Sequence, residues 1–152
     1  MADEEREDRL FKREEAEALL PLIEQHLTGA IQNKRRVDEL DSEFSQVQNR
    51  ILLYGGLLPS YGPLARKRIE REALAGALRD AVSEIESNGC VVKDLEKGLV
   101  DFPSIVNDEQ VFLCWKLGEA GIRFWHRMDE GFAGRKPLGP PAAGESEDKK
   151  PN

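Results

Sequence analysis

Between residues 16 and 51 apolar side chains return every third or fourth position, at Ala16, Leu20, Ile23, Leu27, Ala30, Val37, Leu40, Phe44, Val47 and Ile51, with Lys34 the one polar member of the series. Residues spaced this way share one face of an α-helix, so the pattern predicts a helix over about 13–53 with a narrow apolar seam. Two successive steps of three, through Lys34, Val37 and Leu40, interrupt the heptad as a stammer does and shift the seam locally. At about 1.5 Å per residue the seam is about 54 Å long, more than a compact domain of this size spans. Pro21 brings no N–H and crowds the turn before it, which predicts either a kink or a restart of the helix at that point.

Residues 54–63 mix Gly and Pro with Leu and Tyr and predict a turn. A second helix is expected over about 64–88, with Ile69, Ala73, Leu74, Ala77, Leu78, Ala81, Val82 and Ile85 on one face and Asn88 with Gly89 as a left-handed cap. The small residues Ala73, Gly76, Ala77 and Ala81 allow close approach to the first helix. The expected pair is an antiparallel hairpin whose shorter second helix leaves part of the first uncovered.

Beyond Gly89 the hydrophobic period falls from 3.6 to 2. Segments 90–95, 99–105, 110–117 and 122–127 alternate, and turns at 96–98, 107–108 and 118–121 separate them. The fold class is therefore α+β: a long antiparallel helical hairpin followed by a small, three- to four-stranded antiparallel sheet over about 90–127. Val111, Leu113, Trp115 and Leu117 fall on one face, and Phe112, Cys114 and Lys116 on the other. Both faces carry apolar groups, so one is expected on the helices and the other against a loop, a ligand or a second subunit. Pro103 cannot donate to a ladder, and pairing on its side is expected to stop or bulge after Phe102.

Composition narrows the class of protein. The 152 residues suit one domain, placed at 10–136, between a charged start (1–9) and a Pro-, Gly- and Glu-rich tail (137–152), both expected to be disordered. A net charge of −7 disfavours general attraction to nucleic acid or anionic lipid. The basic runs at Lys34, Arg35 and Arg36 and at Arg66, Lys67, Arg68 and Arg71 read as solvated helix faces. The first fifteen residues lack an apolar core and no run is long enough to span a bilayer, so neither a secretory signal nor a membrane partner is expected. Cys90 and Cys114 read as two reduced thiols, and the expected setting is cytoplasmic.

Both tryptophans and both cysteines fall between Gly89 and Gly134. The run Gly89, Cys90, Val91, Val92, Lys93, Asp94, then Gly98, Leu99, Val100, Asp101, Phe102, Pro103, then Leu113, Cys114, Trp115, Lys116, Leu117, Gly118, Glu119, then Trp125, His126 and Gly131, Phe132, Ala133, Gly134, Arg135 is distinctive. It resembles the bacterial proteins grouped as the domain of unknown function family 2203. The likeness extends to Phe11, Glu14, Glu15, Ala16, Leu19, Leu20 and Pro21 and covers roughly 11–138. Lys12 stands where Thr is common in that family, so the expected cap of the first turn is weaker here. The resemblance implies a shared fold and a bacterial, cytoplasmic setting, and no activity.

The residues themselves suggest two readings. In the first the chain is a binding or protein-interaction module, and Asp101, Phe102, Trp115, Glu119, Trp125, His126 and Arg135 form its ligand surface, with aromatic faces supplying energy and charges supplying orientation. In the second, Asp101, Cys114, Glu119 and His126 hold a metal ion, or Cys114 and His126 act as nucleophile and base with Asp101 orienting the imidazole. Against each stands a structural role: Cys114 as a small buried hydrophobe, His126 as a hydrogen-bonded sheet histidine, Asp101 bonded to backbone donors near Pro103, and Glu119 paired with Arg135 to pin the last loop. No P-loop, dinucleotide fingerprint or nucleophile elbow occurs, and no cofactor is predicted. The helical seam adds one partner, a second copy of the chain docked through the first helix.

Overall fold

The computed structural model of the chain describes residues 9–55 and 61–139. Helix α1 spans Arg13–Tyr54 and helix α2 spans Tyr61–Glu86. Strands β1 (Val91–Asp94), β2 (Leu99–Val106), β3 (Glu109–Lys116), β4 (Phe124–Arg127) and β5 (Lys136–Pro137) follow as one antiparallel meander in sequence order. The class is α+β, with one strand more than expected. Apart from Arg9 and Pro137 to Gly139, the two ends expected to be disordered lie outside the described residues, as does part of the turn at 54–63.

The seam of α1 is buried at Ala16, Leu20, Ile23, Leu27, Ala30, Val37 and Leu40. Two different partners cover it. Its first turns pack on the sheet, where Ala16, Leu20, Ile23 and Leu27 join Val100, Phe102, Leu113, Trp115 and Ile122 in one core. Farther along, α2 runs antiparallel to it, tied by Arg36 to Glu70 (2.8 Å), Arg71 to Asp41 (2.9 Å) and Lys67 to Glu43 (2.7 Å). Arg36 of the first basic run and Lys67 and Arg71 of the second thus face carboxylates across the hairpin.

Helix α1 continues through Pro21 without a restart; the ring's fixed φ is already helical, and the loss is one N–H that would have met Glu17. At its start the Glu15 carboxylate accepts the Lys12 N–H at 2.9 Å, while Lys12 has no acceptor to return, so half of a capping box is made. The stripe expected along α2 needs correction. Ile85 is buried, but Ile69 is 69% exposed and Ala73 and Ala77 face solvent. Leu74, Leu78, Ala81 and Val82 are half-buried, so the stripe faces inward along these residues, and the ion pairs of Lys67, Glu70 and Arg71 with α1 lie at its edge.

In the sheet, Asn107 and Asp108 both adopt positive φ (53° and 65°), as a tight two-residue hairpin between β2 and β3 requires. Gly98 has φ 71°, and a Cβ there would lie 2.7 Å from Leu117 Cβ. Pro103 behaves differently on its two sides. Pairing of β2 with β1 ends at Asp101, and beyond it the Pro103 carbonyl accepts the Phe11 N–H at 2.7 Å. On the other side, the ladder with β3 runs unbroken from Leu99 to Val106. In an antiparallel strand a residue's N–H and C=O point the same way, so the missing N–H falls where no strand needs it. Strand β5 pairs Phe124 with Pro137 and Trp125 with Lys136, and Leu138 behind it is buried.

Cross-strand partners share a face. Val100, Phe102, Leu113, Trp115 and Trp125 lie on the face that packs against the helices, and Asp101, Phe112, Cys114, Phe124 and His126 lie on the opposite, outer face.

Candidate functional site

Asp101 on β2 is directly opposite Cys114 on β3, and His126 on β4 is opposite Phe112, two residues from Cys114. Strand pairing alone therefore brings a carboxylate, a thiol and an imidazole together on the outer face. One ligand atom from each lies within 4.8 Å of the others. The side chains are 2%, 1% and 1% exposed, in the order Asp101, Cys114, His126.

The imidazole is held from both ends. Its Nδ1 lies 2.9 Å from the Arg127 carbonyl oxygen, which only accepts, so Nδ1 carries the proton and donates. In the neutral ring Nε2 then presents a lone pair, and it faces Asp101 Oδ2 at 3.1 Å. Two acceptors at that distance require a proton or a cation between them. Burial pushes the Asp101 carboxyl above the ordinary carboxylate range, with the His126 charge pulling the other way. Burial, reinforced by the Asp101 charge, pushes the Cys114 thiol up to about 12. The thiolate that a nucleophile or a metal ligand needs is therefore disfavoured while no cation is bound beside it. Cys90 is likewise pushed up to about 12 by burial; its Sγ is 3.3 Å from the Ile85 carbonyl.

Long side chains surround the triad. The Phe112 ring lies 5.5 Å from the imidazole, and Lys93 Nζ is 5.7 Å from the centre of that ring. Arg135 donates to the Cys114 carbonyl at 3.2 Å and sits 4.1 Å from the Phe124 ring and 4.6 Å from the Phe132 ring.

The other residues singled out from sequence go elsewhere. Phe102, Trp115 and Trp125 are buried in the core beneath α1 and form no exposed recognition surface. Glu119 is outside the triad, which corrects the four-residue ligand set to three. Its carboxylate accepts Arg135 Nη2 at 2.7 and 2.9 Å and the Lys116 N–H at 2.8 Å, and its carbonyl accepts Trp115 Nε1 at 3.0 Å. Glu119 and Arg135 therefore pin the last loop to the sheet. Asp101 bonds His126 rather than backbone donors near Pro103. Sequence reasoning missed Lys93 and Phe112, which share the outer face; the alternation that places Phe112 with Cys114 was the available signal.

No helix among the described residues is long and apolar enough to cross a membrane. No curated protein and no solved structure matches this chain. One family model does, over residues 9–138, and it takes in both the opening of α1 and every strand that carries the triad. The chain belongs to the family described as uncharacterized conserved protein (DUF2203).

Proposed function

We propose that this chain binds a divalent transition metal, zinc foremost, through Asp101, Cys114 and His126. The observation that supports it best is the meeting of three unlike ligand atoms within 4.8 Å on side chains almost wholly removed from solvent. Thiolate, carboxylate and neutral imidazole with a dication sum to zero charge, which suits a dry site. The proton on Nδ1 and its backbone acceptor orient Nε2 as metal-ligating histidines are usually oriented. A tetrahedral ion would draw the donors to about 3–4 Å apart, a small closing movement. Three protein donors leave the fourth position of such an ion to water or a substrate atom. The broader expectation of a binding module on the C-terminal sheet thus narrows to a ligand on its outer face.

The proposed setting is a bacterial cytoplasm, in keeping with two free buried thiols. Elemental analysis of the full chain, purified without chelator, tests the reading beside Cys114→Ser and His126→Ala. About one zinc per chain is expected, falling more than tenfold in both folded variants. A chain that takes up no zinc on titration, with variants as stable as the parent, reduces the triad to a proton-bridged network.

A second copy of the chain is the partner proposed for the hairpin. Leu52, Leu53 and Tyr54, at the end of α1, are 73–76% exposed, and Phe44 and Val47 of the seam are half-buried. Light scattering over a dilution series should show a dimer that Phe44→Glu and Val47→Glu dissociate; a monomer at every concentration removes this part of the proposal.

A further inference from the structure

The register between β1 and β2 slips by one residue beside the triad. Val92 pairs with Val100 and Asp94 with Leu99, which makes Lys93 the extra residue of a β-bulge. A bulge kinks its strand and re-aims the side chain it carries. The Lys93 ammonium reaches across the outer face to 5.7 Å from the centre of the Phe112 ring, and Phe112 stands opposite Pro103. Asp101 lies between the level of Leu99 and Val100 and that of Pro103, so the lysine side chain crosses above the triad. Its stem covers ligands that are almost wholly buried, while the residue itself is exposed and its charge stays at the surface.

Charge separates Lys93 from the other cation at the site. Arg135 is neutralised by Glu119 at 2.7 Å. Lys93 meets the Phe112 ring and, among the described residues, no carboxylate within ion-pair distance. Its field is nonetheless felt at the ligands: burial raises the Asp101 carboxyl, and the charges of His126 and, more weakly, Lys93 act against it. Thiolate, carboxylate and neutral imidazole with a dication sum to zero, so the centre itself does not repel an incoming anion. The lysine adds one positive charge above it, where water is largely excluded and attraction is stronger than in bulk solvent. All three donors rise from the strands beneath, so the open position of a bound ion faces outward, toward Lys93. A centre covered this closely admits a ligand of only a few atoms.

We infer that the fourth position of the metal takes a small monoanion, a short carboxylate foremost, with Lys93 as its counter-charge. The inference rests on the metal reading and adds to it the class of ligand. A flexible stem suits the role, because it swings aside to admit the anion and returns to place an ammonium over it.

Absorption spectra of the cobalt(II)-loaded full chain test it, with formate and its neutral counterpart formamide as probes. Formate should shift the ligand-field bands to a saturable endpoint and bind at least about tenfold more tightly than formamide, the scale of a charge-assisted hydrogen bond. Lys93→Gln should weaken formate by about the same factor, and Lys93→Arg, which keeps the charge, should retain it. Lys93 is exposed on an edge strand, so both variants should fold as the parent does. A parent chain that takes up no cobalt removes the metal reading and this inference with it. A loaded chain whose bands ignore formate, that takes formate and formamide alike, or that binds formate undiminished in Lys93→Gln overturns this inference alone and leaves the metal reading standing.

Discussion

The two faces of the sheet are made from the same strands and have opposite chemistry. On β2, Val100 and Phe102 enter the core beneath α1 while Asp101 between them points to the outer face; on β3, Leu113 and Trp115 flank Cys114 in the same way. The helix face is dry and apolar and supplies the stability of the sheet. The outer face holds a carboxylate, a thiol and an imidazole among Val91, Phe112, Phe124, Lys93 and Arg135. A period of two lets neighbouring residues serve different ends, and the rigid packing of one face fixes the geometry of the other.

That division predicts a graded set of responses. Phe102→Ala removes a fully buried ring that meets Phe11 edge to face at 5.2 Å, and urea unfolding should show a loss of about 3–5 kcal/mol. An effect below about 1 kcal/mol would mean that the helix face is not the source of stability. Glu119→Gln acts between the faces, weakening the bonds to Arg135 and Lys116 that hold the last loop, and about 1–2 kcal/mol is expected in the same assay. Asp101→Asn should do least to the chelator-treated chain. The amide can donate to His126 Nε2 in place of the proton that bridges carboxylate and imidazole when no metal is bound, so stability should stay within about 1 kcal/mol of the parent while zinc uptake is lost. A large loss of metal-free stability would make Asp101 a structural residue first.

Much of the architecture was legible in the chain. The α1 seam declares itself through eleven positions stepping by threes and fours, and the turns at 96–98 and 107–108 divide the strands where the structure does. Strand β5 was not legible, because Lys136 and Pro137 are too few to show alternation and become a strand only by meeting Phe124 and Trp125. The α2 stripe was legible in part: Leu74, Leu78, Ala81, Val82 and Ile85 are half-buried or buried as expected, whereas Ile69, Ala73 and Ala77 face solvent. For the site, residue types were readable and convergence was not. Parity along β3 separates Cys114 from Trp115, but which face His126 shares depends on the register between β3 and β4, a long-range property that no local pattern encodes. The tryptophans drew attention as recognition residues by their chemistry; burial under α1 gives them to the core.

The most direct measurement is a cobalt(II) titration of the metal-free full-length chain followed by absorption. A thiolate-to-cobalt charge-transfer band with intense tetrahedral ligand-field bands, reaching an equimolar endpoint and losing the charge-transfer band in Cys114→Ser, is the predicted result. A spectrum that remains that of hydrated cobalt throughout contradicts a metal centre on the outer face.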